Sequence, residues 1–121
     1  QFWSCDAGNV TYNDAAETGI TLTAGDWDIT AKMQVQGSAA TTMTDMEMFI
    51  GTAKGNSSTG IAVSNLFETS GISVVVGGFS MSVPSWRVSI SGTTTYYMKG
   101  QVSFTGGSVT ARGIISARRV R

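Results

Sequence analysis

From Trp27 to Gln36 the chain alternates without a fault. Trp27, Ile29, Ala31, Met33 and Val35 stand on one side, and Asp28, Thr30, Lys32, Gln34 and Gln36 on the other. A period of two sends the two sets to opposite faces of a pleated strand. One face can be buried while the other stays in water. The preceding Gly25-Asp26 reads as a turn into this strand. No other stretch is so regular, and the remaining segments read as strands assembled around it.

Residues 19–23, with Ile20 and Leu22, predict a short strand. Residues 37–42 are small and polar and predict a loop. In residues 43–51, Met46, Met48 and Ile50 alternate with Asp45, Glu47 and Phe49, which predicts another strand. Residues 52–60 carry Gly55-Asn56 turn chemistry. Residues 72–76 are β-branched, and Gly77-Gly78 predicts a break. From 79 to 90 the phase slips: Phe79, Met81 and Val83 are odd, whereas Trp86, Val88 and Ile90 are even. Pro84 sits at the slip and marks an edge, a bulge or a break, because proline donates nothing to a ladder. Tyr96, Met98, Val102 and Phe104 share a face in residues 93–104. Thr105-Gly106-Gly107 is a hairpin signal, and residues 108–121 close the chain in alternation.

Apolar residues nowhere recur at helical spacing over ten positions. Seven to nine strands with Gly-rich turns predict an all-β antiparallel fold, a β-sandwich or a jelly roll. The 121 residues imply one domain. It is divided into residues 1–17, an N-terminal arm or edge strand with Phe2, Trp3 and Tyr12, and residues 18–121, the β-sandwich.

Charged residues make up only 13% of the chain, and the zero net charge hides a split. All eight acids lie before residue 69, opposed there by Lys32 and Lys54 alone. From Thr69 onward come Arg87, Lys99, Arg112, Arg118, Arg119 and Arg121 and no acid. The basic residues are spaced through strand-like sequence, so basic strands beside acidic ones are expected, on the same or a neighbouring subunit. The terminal Ala-Arg-Arg-Val-Arg lacks the interleaved aromatics of a nucleic-acid surface, and no nucleic acid partner is expected. No run approaches the roughly 20 apolar residues of a membrane helix, so no membrane insertion is expected. Gln1 with no leader pattern behind it suggests a processed chain or the end of a longer one.

Histidine is absent, which removes the usual general base and the commonest metal ligand. Cys5 is the single cysteine, so no intrachain disulfide can form, and it reads as a small apolar side chain. No cofactor or metal is expected, and no catalytic residue is assigned. Asp26 and Asp28, two apart on a strand, are the minimal carboxylate pair for glycoside hydrolysis. A solvated pair in a turn, engaged by arginines, is the preferred reading. Arg112, Arg118, Arg119 and Arg121 are the matching candidates for ion pairing or assembly. Trp3, Tyr12 and Tyr97 fall outside the apolar faces and are candidates for receptor or subunit contact.

Three stretches together carry a resemblance. Leu22-Thr23-Ala24-Gly25-Asp26-Trp27-Asp28-Ile29 resembles the L-T-A-G-D-W-D-V strand start of tailed-bacteriophage fibre and virion proteins. The stretch from Arg87 to Met98, Arg-Val-Ser-Ile-Ser-Gly-Thr-Thr-Thr-Tyr-Tyr-Met, is similar to their R-x-S-x-x-x-T-T-x-Y-L strand pair. The closing Gly-Ile-Ile-Ser-Ala-Arg-Arg-Val-Arg from Gly113 to Arg121 is similar to their G-x-I-x-A-R-R-x-R ending. The resemblance spans roughly residues 18–121. It implies a C-terminal, homotrimeric, jelly-roll-like domain of a tail fibre, head fibre or receptor-binding protein on the exterior of the phage particle. It also implies that Arg121 is the natural chain end, and it carries over no catalytic residues. The expected function is a non-enzymatic virion module contacting the host surface, with other virion proteins and a host glycan or protein as partners. A capsid-decoration or fibre-capping role is the alternative. A glycan-degrading enzyme using Asp26 or Asp28 and a tumour-necrosis-factor-like trimeric ligand fit less well.

Overall fold

The computed structural model describes residues 2–5, 8–10, 19–53, 66–70 and 74–121, of which 2–5, 8–10 and 74–77 are described by their backbone. Among these residues the protein is all-β and antiparallel, without helix. The strands are β1 (Phe2–Cys5), β2 (Gly8–Val10), β3 (Ile20–Leu22), β4 (Gly25–Gly51), β5 (Leu66–Thr69), β6 (Val74–Ile90), β7 (Thr94–Thr105) and β8 (Val109–Arg119).

Strand β4 is 27 residues long and organises the rest. Its first half lies between β6 and β8, with Ile29 opposite both Trp86 and Ala117. Its second half lies between β7 and β5, with Met48 opposite both Gly100 and Phe67. Strands β1 and β3 pair with β7, and β2 pairs with β8.

Residues 37–42, expected to be a loop, belong to β4. They form the corner where the strand passes from one pair of neighbours to the other, and the ladder with β6 is irregular between Gly37 and Thr42. Small residues suit such a bend because they crowd neither side. The corner is tied to the β7–β8 hairpin. Ser38 N–H donates to Ser108 O at 2.9 Å, and the Thr41 hydroxyl donates to the same oxygen at 3.1 Å. Ser38 and Thr41 share a hydroxyl contact of 2.8 Å, so the fully buried Thr41 is satisfied. The hairpin turn has φ of 70° at Gly106 and 55° at Gly107, the left-handed pair that glycine adopts freely and that matches strand twist.

Gly77-Gly78, expected to be a break, also lies within a strand. Gly77 pairs with Gly37 and Gly78 with Gln36 as β6 continues through both. The phase slip at Pro84 is a β-bulge. Ile29 faces Trp86 but Ala31 faces Val83, so Thr30 alone opposes Pro84 and Ser85. One extra residue turns odd-numbered apolar positions into even-numbered ones.

The inner faces of both halves of β4 feed one core. All six methionines of the chain, Met33, Met43, Met46, Met48, Met81 and Met98, are buried in it. Unbranched thioethers fill the uneven space between two twisted ladders. Met33 packs against Gly100, and a Cβ on Gly113 would lie 2.6 Å from Met98 Cε. Trp86 meets Tyr96 edge-on with centroids 5.8 Å apart, and Phe67 meets Phe79 at 6.2 Å. On the opposite face of β4 and β7, Phe49 and Lys99 pair and are both buried. The Lys99 ammonium donates to Ala53 O at 3.1 Å.

Candidate functional site

The outer face of β6, β4 and β8 carries two neighbouring features, a charge cluster and a groove. The cluster follows from register. Asp28 lies opposite Arg87 of β6 and Arg118 of β8, and Asp26 lies opposite Ser89. Arg87 Nε donates to Asp28 Oδ1 at 2.5 Å and its Nη2 to Oδ2 at 3.2 Å, a bidentate pair. Arg118 Nη2 reaches Asp28 Oδ2 at 3.4 Å. The Ser89 hydroxyl donates to Asp26 Oδ1 at 2.6 Å, and Arg121 Nε lies 3.1 Å from Asp26 Oδ2. The Asp26 backbone accepts from Val120 N–H at 2.8 Å and donates to Arg121 O at 3.1 Å.

These contacts set the charge states. The Arg87 hydrogen bonds hold the Asp28 carboxyl below its ordinary range, against a partial opposing effect of burial. The Ser89 hydroxyl does the same for Asp26, with Arg121 and Arg87 adding to it. The Arg87 guanidinium is held correspondingly above its own. A general acid needs a carboxyl raised toward neutrality, and both of these are lowered. Their geometry suits cross-strand fastening.

Arg119 alternates to the inner face. Its guanidinium carbon sits 5.7 Å from the Trp27 ring centroid, and its Nη2 donates to Ala24 O at 3.1 Å. Trp27 lies at the core rim and is half-buried. Its indole N–H needs a partner and finds Thr23 O at 2.9 Å.

The groove lies two rungs along the same face and holds about 430 Å³. Register arranges its walls as two rows, Ser80–Gln34–Arg112 and Ser82–Lys32–Ile114. Gln34 Oε1 accepts from Arg112 Nε at 2.8 Å, which steadies the guanidinium. Ile114 is half-exposed, an unusual state for a large aliphatic side chain in a strand. Among the described residues no acid lines the groove.

A smaller pocket of about 130 Å³ on the second half of β4 is lined by Asp45, Glu47 and Glu68 with Gln101 and Ser103. Glu47 stands directly opposite Glu68. Burial raises the Glu47 carboxyl, and the Glu68 charge raises it further. No group of three or more His, Cys, Asp or Glu able to hold a metal occurs among the described residues.

Of the sequence candidates, Asp26, Asp28, Arg118 and Arg121 meet in the cluster, Arg119 stacks at its edge, and Arg112 lines the groove. Tyr97 is half-buried opposite Gly51, apart from both features. Trp3 is placed by its backbone opposite Gly100, and Tyr12 lies outside the described residues. Arg87, Ser89 and Lys32 were not singled out as site residues. The i, i+2 spacing of Arg87 and Ser89 mirrors that of Asp26 and Asp28, a signal readable only once the two strands are known to pair. No protein-family model, curated protein or solved structure matches the chain.

Proposed function

We propose that this chain is a non-enzymatic module of a tailed-bacteriophage particle: a jelly-roll-like β-sandwich, homotrimeric, on the exterior of the virion and in contact with the host cell surface. One observation carries the reading. The three stretches that resemble phage fibre and virion proteins are far apart in sequence, yet their polar residues touch. Asp26 and Asp28 of the first hold Arg87 and Ser89 of the second and Arg118 and Arg121 of the third. A shared motif set whose members contact one another is a structural unit, whereas chance matches have no reason to meet. The sandwich reading is supported by the common core of the two halves of β4 and by the packing of Met33 on Gly100.

Two measurements test it. Sedimentation equilibrium should give a species of three chains, and a monomer at micromolar concentration sinks the trimer. Fluorescently labelled protein should decorate host cells and lose binding on receptor-deficient strains. Binding to bare capsids without binding to cells turns the reading to capsid decoration.

A further inference from the structure

We propose that the groove between β6, β4 and β8 is a binding site for an acidic saccharide, a pyranose bearing a carboxylate. The choice of a saccharide rests on the host-surface reading above; the anionic character rests on the groove itself. Lys32 and Arg112 lie on adjacent rungs of neighbouring strands, a diagonal separation of about 7–8 Å between backbones. The nearest acid along this face of β4 is Asp28, four residues from Lys32, and it is already held by Arg87 and Arg118. Among the described residues no acid lines the groove, so Lys32 and Arg112 give it two positive charges that its described lining does not offset.

The rest of the lining fits a sugar better than a bare anion. Ser80, Ser82 and Gln34 offer hydroxyl and amide groups spaced at strand intervals, suited to a ring of hydroxyls. Half-exposed Ile114 gives the C–H face of a pyranose an apolar seat. The volume of about 430 Å³ accommodates one to two sugar rings. Gln34 fixes the Arg112 fork through Nε, leaving its terminal N–H groups for a carboxylate. Phosphate sites are usually built on free backbone N–H groups. Here the central strand β4 is paired on both edges and has none to give.

The test is calorimetric titration of the protein with a uronic-acid oligosaccharide, a neutral oligosaccharide of equal length, and sodium sulfate or phosphate. The uronate should bind, the neutral sugar should not, and the inorganic anions should compete poorly. Lys32→Gln and Arg112→Gln should each weaken uronate binding about tenfold or more. Thr105→Glu, which changes net charge equally at the distant hairpin, should leave it unchanged. Circular dichroism of each variant verifies folding. Equal binding of neutral and acidic sugars overturns the proposal, as does competition by sulfate at the same concentration as the sugar. Self-association that Lys32→Gln abolishes, without sugar binding, assigns the groove to a second copy of the chain and overturns it too. Host-cell labelling separates the two readings. Cells labelled equally by the Lys32→Gln and parent proteins leave the virion reading standing without the groove. Uronate binding without any cell labelling does the reverse.

Discussion

Met33 fills the space that a Cβ on Gly100 would require, although the two residues sit on different ladders of the fold. The contact brings the first half of β4 down on β7 with no side chain between. Gly100→Ala should therefore force Met33 aside and lower unfolding free energy by about 1–3 kcal/mol. In a urea titration, Met33→Ala alone should destabilise through the cavity it leaves. The double variant should lose less than the sum, because the new methyl enters space that Met33 vacated. Strict additivity would show that the two residues are not in contact.

Asp28 holds two arginines unequally. Arg87 is bidentate and Arg118 makes one longer contact with a largely exposed side chain. Asp28→Asn and Arg87→Gln should lower the thermal midpoint clearly, and Arg118→Gln should barely move it. The Asp28→Asn difference should shrink in 1 M salt, where exposed charges are screened.

Glu47 and Glu68 stand opposite each other on β4 and β5, and burial raises Glu47. Glu47→Gln should stabilise the protein at pH 7 by about 0.2–1 kcal/mol, the range for relieving a like-charge cross-strand pair. The gain should shrink as pH falls and the raised Glu47 carboxyl takes up its proton.

Acid should act in two opposed stages. A carboxyl raised in the folded state weakens folding once ionised, so protonating Glu47 on the way down from neutral pH adds a little stability. Asp26 and Asp28 are lowered in the folded state. Their contribution is complete above the unfolded carboxyl value of about 3.9 and is lost as pH falls through the lower folded values. Thermal midpoints should thus peak in weak acid and fall below about pH 4. Asp28→Asn should flatten the acid limb, and Glu47→Gln should flatten the neutral one.

The clean alternation of 27–36 and the odd-to-even slip at Pro84 were legible because both are local consequences of strand pleat. A bulge adds one residue, and the apolar pattern records it directly. Residues 37–42 and Gly77-Gly78 misled for one reason. Small polar residues signal a turn when exposed, yet here Gly77 and Gly78 pair with Gly37 and Gln36, and residues 38–41 bend within β4 between two paired stretches. Ser38 N–H and the Thr41 hydroxyl at that bend are satisfied by the β7–β8 hairpin, which is distant in sequence. The cluster was half legible: the acids and terminal arginines stood out by type, but Arg87 entered only through register. The groove was not legible at all. Lys32, Arg112 and Ile114 become neighbours only when β8 is laid beside β4.

The position of β8 has a consequence for how the chain is made. In the first half of β4, Asp28 leaves the ribosome 90 residues before Arg118, the residue of β8 that it meets. Through that interval one edge of the central strand lacks its native neighbour and offers free N–H and C=O groups to any other extended chain. Lys32, Asp28 and the glutamines Gln34 and Gln36 along β4 keep that waiting edge polar on one face. The charges that later fasten the finished fold thereby act first as guards against mispairing between nascent chains.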